Sequence, residues 1–391
     1  MIDIAAIRAQ IPAVDQLLHF NNAGCALSPD VVTEAVFAHL RREQNLGGYE
    51  AADQAQSEID KFYLALARLL NCQPNAIAFI ENATRAWEMA LHAIPLQADD
   101  EIITFESEYA SNYLGLLHLA RQRGVKLVHA PFNSEGLVDL EGLETCITPK
   151  TRLIALTHVA SQRGDVQPAA AVGQIARQHR LYYLLDACQS AGQIDLDVAA
   201  IGCDFLCGTG RKYLRGPRGT GFLYVNPARL PELEPVFADL QAAVWQSRDQ
   251  FQWRDDARRF ETFERSVAGM IGLGVAIEYA NTLDMAAIET RVRDMAMDLV
   301  SKIADVPGVR VHEKSGVRSG IVTLTRENIP ATSLQQQLHK QGVNTSVSRG
   351  ANARLDLEPE SVGDVLRASV HYYNTQAEID RFVELLAACR G

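Results

Sequence analysis

Short, almost continuously apolar runs alternate with longer segments whose apolar residues recur at helical spacing. The alternation holds through the first two-thirds of the chain. "AIAFI" at 76–80 predicts a strand, and "NATRAWEMALHAI" the helix after it, opening on a polar turn. The unit repeats in "DEIITFES" with "SNYLGLLHLARQRG", where Gly124 is the expected helix stop. It repeats again in "KLVHAPF" with "DLEGLETCI", and in "TRLIALTHVA" with "PAAAVGQIARQHR". "LYYLLDACQS" predicts a strand running into a loop, and "DFLCGT" and "GTGFLYV" predict two more short strands. Apolar strands separated by helices build a mostly parallel sheet covered on both faces. The expected fold class is α/β.

The pattern changes near residue 230 at the Pro-rich "PARLPELEP". "SVAGMIGLGVAIEYANTL" and the amphipathic "MAAIETRVRDMAMDLVSKIADV" predict two helices. "SGIVTLT", "GVNTSVS" and "VLRASVHYY" predict strands of a smaller sheet, and "TQAEIDRFVELLAAC" a closing helix capped by Thr375. The expected organisation is a large α/β domain over 21–250 and a small α+β domain made of 1–20 with 251–391.

Composition adds exclusions. With 47% hydrophobic and 22% charged residues, the chain is ordinary globular material. Its 37 basic against 48 acidic residues give a net charge of −11, so phosphate backbones are repelled and nucleic acid is not an expected partner. Seven scattered cysteines suit reduced thiols, with Cys203 and Cys207 read as buried strand residues and no metal site expected. The N-terminal segment has no long apolar core of a signal peptide, and no run reaches membrane-spanning length. A cytoplasmic location without membrane attachment is expected.

Ligands of such sheets bind beyond the carboxyl ends of the strands. Asn82, Glu108, Ser161, Asp186 and Thr209 all fall there, so residues far apart in sequence are expected to converge. Lys212 follows the same strand end as Thr209, in "GTGRKYLRGPRGTG". Tyr213 after the lysine rules out the Ser or Thr of a nucleotide-binding P-loop. Lys212 is either a solvated lysine or an amine nucleophile, whose pKa desolvation and the positive charge of Arg211 and Arg215 would lower. Asp186 either caps a turn or faces a protonated ring nitrogen, with Gln189 placed to bond a ring oxygen. Ala83 and Thr84 open a helix, which is an N-terminus alone or a phosphate site. Tyr109 is core or stacks on a planar group. His158 reads as structural.

Taken in order, "NNAG", "ENAT", "SEYASN", "THVASQRG", "LLDACQSAGQIDLDVAAIGCDF", "GTGRKYLRGPRGTGFLYV", "RRFETFE" and "LRASVHYYNTQAEIDR" resemble the class V aminotransferase family over nearly the whole chain. These are fold-type-I enzymes dependent on pyridoxal 5′-phosphate, and they include cysteine desulfurases. The resemblance implies that Lys212 holds the cofactor as a Schiff base and later carries a proton. It implies that Asp186 pairs with the pyridine nitrogen and that Gln189 and Ser161 contact the ring hydroxyl, Ser161 standing where many relatives have Asn. Ala83, Thr84 and Thr209 are implied to hold the phosphate, together with Arg211, which replaces a frequent histidine. Tyr109 takes the ring-stacking position, which is histidine in the desulfurases, and Arg367 matches the arginine that binds a substrate α-carboxylate. Glu264 and Arg265 match a segment that reaches the neighbouring subunit's cofactor, which implies a homodimer.

The segment before Arg367 departs from the desulfurases. "NTSVSRGANARLDLEPESVGDV" has no cysteine where they carry the persulfide-forming one. Ordinary cysteine desulfurase activity is therefore not expected. Arg349 and Arg354 stand in that loop and are expected to read an anionic part of the substrate. The resemblance implies an enzyme acting on an amino acid through loss of the Cα proton, followed by transamination or by β-elimination of the C–S lyase kind. Epimerisation of the isopenicillin N epimerase type is the alternative outcome, and a non-catalytic cofactor-binding sensor the alternative of another class. Retention of lysine, aspartate and arginine argues against the sensor, and no helix-turn-helix precedes the fold. Arg367 argues against a sugar substrate.

Overall fold

The structure is a computed structural model that describes residues 2–316 and 318–391. A seven-stranded sheet forms its centre. In chain order the strands are β1 (Ile77–Ile80), β2 (Glu101–Thr104), β3 (Lys126–His129), β4 (Thr151–Thr157), β5 (Tyr182–Asp186), β6 (Phe205–Thr209) and β7 (Gly221–Val225). Across the sheet they run β1-β7-β6-β5-β4-β2-β3. Only β7 is antiparallel to its neighbours, so the sheet is mostly parallel.

Alternate residues of each strand enter different cores, because successive side chains point to opposite faces. Tyr183, Leu185 and Leu206 face a core shared with the helices Gln56–Leu69, Ala169–Gln178 and Val267–Leu283. Leu184, Phe205 and Cys207 face the other, shared with Ala83–Ala93 and Ala110–Arg123. Both faces are dry, and each fully buried large aliphatic or aromatic side chain contributes about 1.5–3 kcal/mol. That is why these strands read as continuous apolar runs.

The helices start and stop on local chemistry. Asn82 caps Ala83–Ala93 by accepting from the Arg85 amide, and Gly124 ends Ala110–Arg123 in the left-handed region at φ 73°. Thr375 and Glu378 form a complete capping box at Gln376–Ala388.

A second sheet of four antiparallel strands has the order Val309–Val311, Ile321–Arg326, Val365–Ser369, Ser346–Ser348. Arg367 sits in a central strand, opposite Thr323 on one side and Ser346 on the other. The stretch "GVNTSVS" is two short strands. Val343–Asn344 pairs with Leu18–His19 near the N-terminus, while Ser346–Ser348 joins the second sheet. Phe20 completes that sheet's core by stacking on Phe382 at 4.7 Å.

The hairpin Ala243–Ser247 with Gln250–Trp253 has no counterpart in the sequence reading. Val244, Trp245 and Phe251, with Trp245 at 73% exposure, face solvent and so carry no buried period. No described helix is long and apolar enough to cross a membrane.

Candidate active site

The carboxyl ends of β1, β4, β5 and β6 open into one pocket. It is lined by Asn82, Ala83 and Thr84 after β1, Thr157, Val159 and Ser161 at and after β4, Asp186, Cys188 and Gln189 after β5, and Thr209, Arg211 and Lys212 after β6. Tyr109, after β2, lies across it. Residues from 82 to 212 meet because parallel strands put all their carboxyl ends on one edge.

Lys212 is buried, and its Nζ lies 6.0 Å from the centre of the Tyr109 ring. Burial lowers its pKa, and the guanidiniums of Arg211 and Arg367 push the same way, against the opposing pull of Cys188 and Asp186. Arg215 is not one of these neighbours, contrary to the sequence expectation. Its backbone turns through φ 61°, and its side chain bonds the Leu27 carbonyl and the Tyr372 hydroxyl among the rings of Tyr279, Tyr372 and Tyr373. Arg367 supplies the charge instead, from far downstream.

The lysine loop is fixed from below. Gly192, at φ 94°, touches it so closely that a Cβ there would sit 2.4 Å from the Tyr213 carbonyl carbon. The Lys212 carbonyl accepts from the Arg215 amide at 2.8 Å.

Asp186 is held on both oxygens. The Cys188 amide donates to Oδ1 at 2.8 Å and Asn112 Nδ2 to Oδ2 at 2.7 Å. The same Asn112 amide donates to Glu108 Oε1 at 3.0 Å, and Glu108 also takes the Tyr109 amide and the Thr157 hydroxyl. Two buried carboxyls thus share one amide. Burial raises the pKa of Glu108 to about 7, and the Asp186 charge adds to the rise. Asn112 has no signal of its own in the sequence, although it lies four residues from Glu108 on the start of one helix.

At the other end, the amides of Ala83 and Thr84 belong to the first turn of a helix, where no intrahelical acceptor exists. Arg211 donates to Thr209 Oγ1 at 2.8 Å. Two first-turn amides, two hydroxyls and a guanidinium make a phosphate-shaped donor set. Gln189 donates to the Ala23 carbonyl at 3.1 Å, and its Oε1 is buried with no partner among the described residues, open to a hydroxyl donor. An amine for an aldehyde, a carboxylate for a ring nitrogen, an acceptor for a ring hydroxyl and this phosphate set all fit pyridoxal 5′-phosphate.

Arg367 is buried, donates to the Ser161 carbonyl at 3.1 Å, and leaves Nε without a partner among the described residues. No carboxylate of the described residues forms an ion pair with it. A buried guanidinium without an anion is costly, which points to a carboxylate on a ligand. Ser161 Oγ is turned toward Gln162 Oε1 at 3.3 Å.

The remaining candidates do not line this pocket. Glu264 is exposed and, with Arg265, lines a cavity of about 490 Å³ beside Tyr49, Asp53 and Phe263. Arg349 and Arg354 are exposed on the loop after Ser348, and Arg354 pairs with Glu358 at 2.8 Å. His158 is buried and neutral, its pKa lowered to about 4 by burial.

Comparison with known proteins identifies the family and the fold. Residues 18–382 match the family model described as aminotransferase class-V. A probable cysteine desulfurase of Xylella fastidiosa is 30% identical over 382 residues, covering 96% of this chain and 91% of the relative. One of Methanothermobacter thermautotrophicus is 28% identical over 391 residues, covering 98% of each. Among solved structures, the cysteine desulfurase CsdA of Escherichia coli superposes with a TM-score of 0.90 at 26% identity, covering 99% of this chain and 98% of that one. The cystine C–S lyase C-DES, solved with its product cysteine persulfide, shares the fold with a TM-score of 0.89 at 24% identity, covering 97% and 99%.

Proposed function

The chain belongs to the aminotransferase class-V family, whose enzymes use pyridoxal 5′-phosphate, and we propose that it cleaves a carbon–sulfur bond in a sulfur-bearing amino acid by β-elimination. The observation that carries this reading is a buried lysine in the pocket together with a buried arginine that forms no ion pair among the described residues. Lys212 lines the pocket, and Arg367 bonds the carbonyl of Ser161, another lining residue.

Bound in this pocket, the cofactor supplies an electron sink for the charge left at Cα when a proton departs. Arg367 would grip the substrate α-carboxylate and fix which Cα bond faces Lys212. Lys212 Nζ would hold the cofactor at rest and, once displaced by the substrate amine, take the Cα proton. Its lowered pKa keeps more of the amine in the basic form that this needs. Asp186 would keep the ring nitrogen protonated, with Asn112 and the Cys188 amide holding its carboxylate in place. The electron pair left at Cα would form the Cα=Cβ bond as the Cβ–S bond breaks with its own pair on sulfur, the proton on Lys212 would pass to that sulfur, and water would convert the released enamine to keto acid and ammonium.

The curated relatives named above as cysteine desulfurases support sulfur chemistry. The loop 349–364 has no cysteine, and this supports release of the sulfur to solution or to a small thiol. A homodimer is part of the same proposal. Tyr49 at 69% exposure and Phe263 at 51% sit beside Glu264 and Arg265, an apolar and charged surface suited to a second copy.

The test is turnover of L-cysteine, L-cystine and S-substituted cysteines by the purified holoenzyme. Keto acid, ammonium and a soluble sulfur product should appear together. Keto acid without sulfur release would mean transamination, exchange at Cα alone would mean epimerisation, and a persulfide on a protein cysteine would overturn the release step.

A further inference from the structure

Lys212 lines the pocket and Arg367 reaches it through the Ser161 carbonyl, and a second charged cluster sits on the far side of Ser161. Arg163, six residues beyond Thr157 at the end of β4, and Asp356, in the loop 349–364, are both buried. Arg163 Nε donates to Asp356 Oδ1 at 2.5 Å, and its NH1 donates to the His312 carbonyl at 2.7 Å. Glu360 of the same loop lies 2.9 Å from Arg163 NH2 and also pairs with Lys314. Ala353, Leu357 and Val365 close over one another as a small apolar cluster beneath this loop. The neighbouring Gly164 packs against the second sheet so closely that a Cβ there would lie 2.0 Å from the Ile321 carbonyl oxygen. Burying two opposite charges rarely stabilises a protein on balance, so a pair held this well invites a role other than stability.

The cluster continues into the pocket. Gln162 Nε2 donates to Asp356 Oδ2 at 3.2 Å and to the Ser107 carbonyl at 3.3 Å, beside Glu108 and Tyr109. Gln162 Oε1 accepts from Ser161 Oγ at 3.3 Å. The Ser161 carbonyl accepts from Arg367 at 3.1 Å and from Ser348 Oγ at 3.4 Å, at the root of the same loop. One chain of hydrogen bonds therefore runs from the loop carboxylate to the arginine that faces the substrate.

We infer that Asp356 and Arg163 are positioning residues that latch the loop 349–364 onto the β4 end and, through Gln162 and Ser161, set the guanidinium of Arg367 for the amino-acid carboxylate. The inference rests on the proposed role of Arg367. It assigns the cysteine-free loop a job: a fixed wall of the substrate site, where a mobile sulfur-carrying arm would need the opposite property.

The test uses the holoenzyme and its Asp356→Asn variant, with Glu360→Gln as a milder break should the first fold poorly. Limited trypsin digestion, mapped by mass spectrometry, reads the loop at Arg349 and Arg354. Titration with L-alanine, followed by the visible cofactor absorbance, reads the carboxylate site. Release of the latch should raise cleavage in the loop and weaken L-alanine binding by roughly tenfold each, because small displacements of a binding group cost that much or more. Cofactor content and absorbance without L-alanine should not change, which a general loss of structure would not allow. Unchanged cleavage in both variants would overturn the latch. Faster cleavage with unchanged L-alanine affinity would overturn the positioning of Arg367. A wild-type holoenzyme that ignores L-alanine would count against the role of Arg367 itself and take the positioning claim with it, while the cleavage ratio would still decide the latch.

Discussion

Replacing Glu108 with glutamine should remove a pH-dependent loss of stability from the apoenzyme. Glu108 is buried, its Oε2 has no partner among the described residues, and Asp186 lies one shared amide away. Burial and then the Asp186 charge raise its pKa from the ordinary 4.5 to about 7. The native state thus binds this proton more tightly than the unfolded chain. The group's contribution is fully present below the unfolded value and is lost as pH rises through 7. At about 1.4 kcal/mol per pH unit, the loss is about 3 kcal/mol in total. Glutamine keeps the shape and an amide in place of the neutral acid, and does not ionise. Urea unfolding of both apoproteins at about pH 5 and about pH 8 should show the variant gaining about 2–3 kcal/mol on the wild type across that interval. Glu313, raised to about 7 by its own burial, titrates in both proteins and cancels in the difference. Parallel stability curves would refute the reasoning and mean that Glu108 is ionised or well solvated in the native state.

Further outcomes follow from the same geometry. Arg367→Lys should weaken amino-acid binding to the holoenzyme by roughly 10- to 100-fold, the equivalent of about 1.5–3 kcal/mol for a charge-assisted hydrogen bond, with cofactor content unchanged. Gly192→Ala should displace the Tyr213 backbone, because a Cβ has nowhere to go at 2.4 Å and φ is 94°, and the visible cofactor band should shift or disappear. Thr375→Ala removes half of a complete capping box and should cost about 1 kcal/mol in urea unfolding without altering cofactor absorbance.

Strand ends were legible because buried parallel strands write themselves as apolar runs, and the residue after each run has to face the pocket edge. Asp186, Thr209 and Lys212 follow from that rule, and Tyr109, Gln189 and Thr84 line the same pocket. Charge was legible only as a count. Arg215 stands three residues from Lys212, yet a left-handed turn sends its side chain among tyrosines, and the cations that act on the amine are the adjacent Arg211 and the distant Arg367. Nothing local marks the bond between Arg163 and Asp356, which are 193 residues apart, or that between Asn112 and Asp186, which are 74 apart. The hairpin at 243–253 escaped notice because its apolar residues face outward, away from the buried surface that gives a strand its period.

The account turns on one covalent claim: that Lys212, rather than any other lysine, carries the cofactor. Reduction of the purified holoenzyme with borohydride would fix the cofactor to its amine, and peptide mass spectrometry would locate it. The account predicts a phosphopyridoxyl group on the Lys212 peptide and none in the Lys212→Ala protein. A label on another lysine, or a protein that takes up no pyridoxal 5′-phosphate, would contradict it.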